Sequence, residues 1–192
     1  MNPHPLPTQI SLSLPEWLHA SSPELHNSYP GDDDKMGLAI DLAARNVAEK
    51  SGGPFGAAIF DSTSGEVVSV GVNRVVPLCN STAHAEMMAF MLAQHALQSH
   101  RLNATRHQFV MATSAQMCAM CYGASVWAGI NHILIGARRE DVESLTNFDE
   151  GPMPRNWIQA LRDRGIAVTR DIMRREACEV LAAYQSATGP LY

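Results

Sequence analysis

The sequence predicts an α/β protein with three layers, in which helices cover both faces of a five-stranded mixed sheet. Two observations support this fold class. Five short apolar runs are bounded by turn residues, and helical patterns lie between or after most of them. The length of 192 residues is sufficient for one domain with a substantial core. We therefore expect one α/β/α domain without internal repeats.

The N-terminal segment, residues 1–30, differs in composition from the rest of the chain. It holds six of the eleven prolines and shows little hydrophobic periodicity. We predict an extended Pro-rich arm with at most short helical pieces, which is either disordered or draped over the body. Residues 31–192 are predicted to form the folded domain.

The first helix of that domain is predicted to begin at the acidic run 32–34. Carboxylates at this position oppose the helix dipole. An apolar stripe formed by Met36, Ile40, Ala43 and Val47 follows at helical spacing. The pattern therefore predicts one amphipathic helix before the sheet.

The remaining elements follow from runs of alternating or helical periodicity. Five strands are predicted at 55–61, 66–72, 107–113, 132–136 and 166–169, and the first two are joined by a turn. Further helices are predicted at 83–99, 118–129, 155–164 and 173–187. Because helices separate or follow most of the strands, the sheet is expected to be mixed.

The most informative pattern in the chain combines His84, Glu86, Cys118 and Cys121. One imidazole and two thiolates are zinc ligands, and three protein ligands leave one tetrahedral position open, as in catalytic zinc sites. Glu86 follows the first ligand by two residues, where it can act as a general acid/base beside the metal. The pattern predicts a catalytic zinc site rather than a closed structural one.

The spacing also predicts how these residues meet. Cys118 and Cys121 fall on one face of the first turn of a helix. His84 opens a second helix, for which Ser81 or Thr82 is the predicted cap. Two helix N-termini would then direct their positive ends toward the metal, which favours thiolate ligands.

Two other interpretations of the cysteines are weaker. A redox pair would need neither His84 nor Glu86, and a closed zinc site would need a fourth ligand. Cys79 is the nearest spare thiol, but we interpret Cys79 and Cys178 as small buried apolar residues. A non-catalytic zinc-stabilised module is therefore the least favoured function.

Composition limits the partners and the location of the protein. A net charge of −5 and an isoelectric point near 5.9 disfavour a nucleic-acid partner. The arginines late in the chain are interpreted as a solvated helical face. Four cysteines, two of them assigned to metal, leave no disulfide framework, as expected in a reducing cytoplasm. Without a long apolar run or a secretory signal, neither a membrane span nor export is expected.

From about residue 36 to the C-terminus, the chain resembles the cytidine deaminase-like zinc superfamily, and within it most closely the small guanine deaminases. The resemblance rests on the H-x-E and C-x-x-C motifs of zinc deaminases. It also rests on Gly-Pro-Phe-Gly-Ala at 53–57 and Asn-Phe-Asp-Glu-Gly at 147–151. The fold implied by this resemblance is the cytidine deaminase-like α/β/α sandwich.

The resemblance assigns roles to individual residues. It implies one zinc ion per chain bound by His84, Cys118 and Cys121, with Glu86 moving protons. It also implies a second catalytic carboxylate, for which Glu150 is the aligned residue and its neighbour Asp149 the alternative. The residues that it assigns to binding the base are Phe55, Asn73, Ala85, Trp127 and Tyr192.

The activity implied by the resemblance is hydrolytic deamination of a free aminated heterocycle, most directly guanine to xanthine and ammonia. Other amino-oxo rings, such as aminotriazines or cytosine-like rings, are alternatives, as is adenosine in tRNA. A domain-swapped homodimer is also implied, in which the C-terminal element crosses to the partner. One feature departs from the family: Gln116 and Met117 stand in place of Glu-Pro, so the rigid helix entry that proline presets is missing.

Overall fold

The structure is built around a central five-stranded sheet. The computed structural model describes residues 6–19, 22–104, 106–187 and 189–191. Its strands are β1 Gly56–Asp61, β2 Val67–Val72, β3 Phe109–Ala115, β4 His132–Ala137 and β5 Ala167–Arg170. The order in the sheet is β2-β1-β3-β4-β5. Strand β1 is antiparallel to β2 and β3, whereas β4 is parallel to β3 and β5, so the predicted five-stranded mixed sheet is confirmed.

The helices connect these strands and cover them. They are α1 Asp32–Ala48, α2 Ala85–Ala96, α3 Ala119–Ala128, α4 Arg139–Thr146, α5 Trp157–Arg162 and α6 Arg174–Ser186. Helix α4 was not predicted, because its eight residues bury only Val142 and Thr146 and so carry too short an apolar stripe for periodicity to show. None of the described helices is long and apolar enough to cross a bilayer.

The two faces of the sheet carry separate apolar cores. Ala58 and Phe60 of β1 pack in the core formed with α1, α4 and α6. Ala57 and Ile59 of the same strand pack in the core formed with α2, α3 and α5. This alternation is the period-two pattern of a strand that is buried on both faces, and it produces the predicted three layers.

Helix α1 begins at the predicted acidic run. Asp34 lies in its first turn, where the Asp34 carboxylate accepts a hydrogen bond from the Gly31 N–H at 3.0 Å. Three aspartates in this turn oppose the partial positive charge of the helix end. The acidic run therefore has the structural role that the sequence indicated.

The later part of the N-terminal arm lies over the body. Leu18 is 3% exposed within the α1 core. The guanidinium of Arg45 lies 4.5 Å from the ring centre of Trp17, and Tyr29 packs edge-on against Phe60. From Leu14 onward the described residues of the arm pack on the body, whereas Leu6 and Ile10 are exposed.

Candidate active site

The three predicted metal ligands converge at one end of the sheet. The ligand atoms of His84, Cys118 and Cys121 all lie within 4.8 Å of one another. Cys118 Sγ is 3.5 Å from His84 Nδ1. Cys121 is buried, whereas Cys118 is partly exposed. The cluster therefore has three donors of the kind that zinc prefers, in reach of a single ion.

The three ligands lie at the N-termini of two helices. His84 precedes α2 and Cys118 precedes α3, both with extended backbone, while Cys121 lies in the first turn of α3. Because His84 is outside the helix, its side chain does not follow the helical spacing that would separate it from Glu86. The positive ends of both helices point toward the cluster and favour thiolates there.

The predicted cap of α2 is wrong. His84 itself is the capping residue, and it makes no side-chain hydrogen bond to the helix. The Thr82 hydroxyl donates instead to Asn80 Oδ1 at 2.7 Å. Neither Ser81 nor Thr82 therefore caps the helix, and the imidazole remains available as a ligand.

The departure at Gln116 and Met117 leaves the entry into α3 well packed. The Gln116 N–H donates to the Ala137 carbonyl at 2.8 Å, which continues the β3–β4 pairing toward Cys118. The Met117 side chain is only 1% exposed and packs in the core beneath α3. Sheet pairing and burial thus fix the turn that a proline would otherwise preset.

The two thiols show that the cluster suits a divalent cation. The thiol of Cys121 donates a hydrogen bond to Cys118, and this bond lowers the pKa of Cys118 to about 4. The same bond, together with burial, raises the pKa of Cys121. Two thiols, one of which loses its proton readily, and one imidazole are a donor set that would hold a zinc ion.

Two buried carboxyl groups flank the cluster. Glu86 is 6% and Glu150 is 7% exposed. Burial raises the pKa of both groups, and it raises that of Glu150 to about 8. Cys121 Sγ lies 3.5 Å from Glu86 Oε2. Two buried carboxyl groups with raised pKa values beside a metal site are suited to acid–base catalysis.

A small pocket opens beside the cluster and the carboxyl groups. Its lining residues are Phe55, Asn73, His84, Glu86, Cys118, Phe148, Asp149 and Glu150. Phe55 and Phe148 contact each other with ring centres 5.4 Å apart, so one wall is aromatic. Six of the residues assigned by motif or resemblance are therefore brought together in one concave site, and the sulfur of Cys121 lies within 4.8 Å of the ligand atoms of His84 and Cys118.

Asn73 directs an unused donor into this site. The side chain is 1% exposed, and its Oδ1 accepts a hydrogen bond from the Val75 N–H at 3.2 Å. Its Nδ2 has no protein hydrogen-bond partner within the described part of the chain. Because an unpaired buried donor is costly, this amide group is suited to pair with an acceptor on a bound ligand.

The other predicted site residues lie elsewhere or outside the described residues. The Ala85 side chain is buried in the α2 core. Trp127 is 75% exposed on α3 and is not among the residues that line the described pocket, so its place against the base stays a prediction. Tyr192 lies outside the described residues. The prediction of two buried spare cysteines is wrong for Cys79, which is exposed, while Cys178 is partly exposed.

Phe148 is a pocket residue to which the sequence assigned no role, and Asp149 is a pocket residue that was named only as the alternative to Glu150. Both belong to the 147–151 segment that carries Glu150, so the motif indicated their neighbourhood but not their roles. Asp149 is exposed, and its Oδ1 accepts from the Gly151 N–H at 2.8 Å. Phe148 is 7% exposed and stacks on Tyr184 of α6.

Comparison with known proteins gives a matching deaminase family model and several relatives, guanine deaminases and tRNA-specific adenosine deaminases among them. The family model of the cytidine and deoxycytidylate deaminase zinc-binding region matches residues 31–137, which include all three ligands and Glu86. A solved structure of guanine deaminase from Nitrosomonas europaea is 38% identical, with a TM-score of 0.87 over 94% of this chain and 98% of its own.

Two further relatives agree with that match. A solved structure of a guanine deaminase variant in complex with 8-azaguanine is 38% identical, with a TM-score of 0.86 over 93% of this chain and 98% of that chain. Guanine deaminase from Bacillus subtilis is 33% identical over 112 residues, which are 58% of this chain and 67% of that protein.

Proposed function

The chain belongs to the cytidine and deoxycytidylate deaminase family of zinc-binding proteins, and from this premise we propose that it hydrolyses guanine to xanthine and ammonia. The observation that carries the proposal is the pocket. It combines the zinc ligand cluster with Glu86, Glu150 and the unpaired amide of Asn73. The similarity to guanine deaminases, one of them with a guanine analogue bound, supports the choice of ring.

The cofactor is zinc, one ion per chain, and His84, Cys118 and Cys121 would hold it. When bound, zinc supplies an activated water as the nucleophile at neutral pH. The Glu86 carboxylate would accept a proton from the attacking water and return it to the ring nitrogen beside the amino-bearing carbon. Burial raises the pKa of Glu86, which suits a group that holds a proton between two transfers.

The rest of the pocket binds the base and assists the leaving group. The Asn73 Nδ2 donates to an acceptor on the ring, and Phe55 packs on a ring face. Ala85 acts through its backbone, since its side chain is in the core. Glu150 gives a proton to the departing amino group and is suited to this because its pKa is raised to about 8.

Replacing Glu150 with glutamine should lower kcat by about 100-fold or more, with a smaller change in KM. The amide keeps the size of the side chain but has no proton to give to the leaving amine. Asp149→Asn is the matched control, because Asp149 is the exposed neighbouring carboxylate and the asparagine retains an acceptor for Gly151. Equal losses in the two variants, measured as xanthine formed per second, would contradict the assignment of Glu150.

A substrate panel tests the identity of the ring. We expect turnover of guanine to exceed that of cytosine, an amino-oxo triazine and adenosine in tRNA when ammonia release is measured at equal enzyme concentration. The net charge of −5 disfavours RNA, and two of the late arginines, Arg138 and Arg174, are engaged by Asp171 and Asp141. Inosine formation in tRNA without xanthine from guanine, and with steep dependence on salt, would reverse the assignment.

A homodimer is part of the proposal. Trp127 is exposed on α3, and Met120, Tyr122 and Val126 of the same helix are only partly buried, so this helix offers an apolar face to a second copy. Helix α6 packs here on α1, α4 and β4 of its own chain. The domain-swapped form implied by the resemblance would exchange these contacts between two copies.

A cytoplasmic location is consistent with the two free thiols that the metal site requires.

The C-terminal tail is proposed to close the pocket, with Tyr192 against the base. Gly189 and Pro190 are tied to Tyr184: the Gly189 N–H donates to the Tyr184 carbonyl, and the Tyr184 hydroxyl donates to the Pro190 carbonyl at 2.6 Å. Tyr184 in turn stacks on Phe148 of the pocket wall.

Deleting residues 189–192 should therefore lower turnover by roughly 10-fold or more while zinc content stays at one per chain, because closure excludes water from the site. Deleting only residue 192 separates the terminal aromatic from the rest of the tail. Wild-type kinetics in both truncated proteins would indicate a frayed end without a role in the reaction.

A further inference from the structure

A fully buried amide in the last turns of α1 lies behind the pocket. Asn46 is 0% exposed, and its Nδ2 donates to two backbone carbonyls, that of Gly53 at 2.8 Å and that of Asn73 at 2.9 Å. Both acceptors are carbonyl oxygens, so only the NH₂ end of the amide can face them. The Asn46 side chain thus joins the segment before Phe55 to Asn73, whose own side-chain amide is the unpaired donor in the pocket.

The acceptor end of the same amide is held as well. The Ser51 hydroxyl donates to Asn46 Oδ1 at 2.7 Å. Ser51 Oγ in turn accepts from the indole N–H of Trp17 at 2.8 Å, so a residue of the N-terminal arm fixes the hydroxyl. With both N–H groups and the carbonyl engaged, the amide has a single orientation.

The two segments that Asn46 joins also approach each other closely. A Cβ on Gly52 would lie 1.8 Å from the Asn73 carbonyl oxygen and 2.7 Å from Asn46 Nδ2. The Asn73 N–H donates to the Phe55 carbonyl at 3.1 Å. A small displacement of either segment therefore moves the other.

We infer that Asn46 is a positioning residue for base binding: it holds Phe55 and Asn73 in register, and the Ser51 hydroxyl holds Asn46. This inference rests on the proposed function. Asn46 is not among the residues that line the described pocket, and it contacts none of the three zinc ligands, so it acts on the binding of the base through the backbone of the two segments. Replacing Asn46 should therefore raise KM rather than slow the chemical step.

The test compares Asn46→Ala, Ser51→Ala and Ser69→Ala by the steady-state kinetics of guanine deamination. We expect KM to rise by about 10-fold in Asn46→Ala and by a smaller factor in Ser51→Ala, with kcat within about threefold of wild type. Ser69→Ala is the matched control, because it also removes a buried hydrogen bond to a backbone carbonyl, that of Ala89 at 2.8 Å, but touches neither segment. Its KM should be unchanged.

A double-mutant cycle with Asn73→Ala determines whether Asn46 acts through Asn73. The effect of Asn46→Ala on KM should be smaller in the Asn73→Ala background than in the wild-type background. Unchanged KM in both Asn46→Ala and Ser51→Ala, or an equal rise in Ser69→Ala, would overturn the inference. If Asn46→Ala does not fold, Ser51→Ala alone decides between these outcomes. A wild-type chain that forms no xanthine would instead overturn the proposed function.

Discussion

Glu86→Gln should reduce guanine turnover by at least ~10²–10⁴-fold while the protein keeps its fold and one zinc per chain. The lower limit is the usual contribution of a general acid/base. Glu86 is buried beside the ligand cluster, and glutamine has nearly the same shape but cannot accept and return a proton. KM should change little, because the side chain acts mainly in the transition state.

The control for this variant is Glu66→Gln. It makes the same chemical change at an exposed residue directly before β2. Zinc content and the midpoint of thermal unfolding are measured on the same preparations. If Glu86→Gln retained activity within a few fold of wild type with full zinc occupancy, a different residue would have to move the proton.

Cys118→Ala should abolish turnover by removing the metal. Zinc content, measured by elemental analysis, should fall far below one ion per chain, because two ligands remain and an alanine cannot replace a thiolate. The midpoint of thermal unfolding should also fall, since a metal that binds only the folded state stabilises it.

Cys79→Ala is the matched control for the loss of a thiol. Cys79 is exposed and lies outside the cluster, so zinc and turnover should remain at the wild-type level in that variant. Full zinc occupancy in Cys118→Ala, or loss of zinc in Cys79→Ala, would contradict the ligand set.

Sequence was sufficient for the parts of the protein that depend on local pattern. Each strand was predicted within two residues, because both faces of the sheet are buried and the apolar runs are bounded by turn residues. The ligand set could be predicted because a Cys-x-x-C pair at a helix start and a His-x-Glu pair have fixed local geometry. The structure adds that His84 caps its helix, which explains how the imidazole and Glu86 can serve the same site.

Properties that depend on packing between distant segments could not be predicted. Trp127 and Cys79 are exposed because no other part of the described chain packs on the helix face and the loop that carry them. Resemblance proposed Trp127 for the pocket, but within one chain it lies on the outer face of α3. The hydrogen bond from Asn46 to the Asn73 carbonyl joins residues 27 positions apart, and no sequence pattern indicates such a contact.

The identity of the second catalytic carboxylate could be predicted only in part. The 147–151 motif contains two adjacent acids, and sequence alone did not decide between them. The structure buries Glu150 and raises its pKa to about 8, whereas Asp149 is exposed and accepts a hydrogen bond from the Gly151 backbone. Burial therefore distinguishes two residues whose sequence context is the same.

The most direct test of zinc-dependent guanine hydrolysis is turnover of guanine in ¹⁸O-labelled water, with xanthine analysed by mass spectrometry and ammonia measured in the same sample. The zinc-loaded wild-type protein should form xanthine that carries one ¹⁸O atom, with one ammonia released for each xanthine, because water replaces the amino group. Removal of zinc by a chelator should abolish both products, and added zinc should restore them. Fully zinc-loaded protein that releases neither labelled xanthine nor ammonia from guanine would contradict the proposed function.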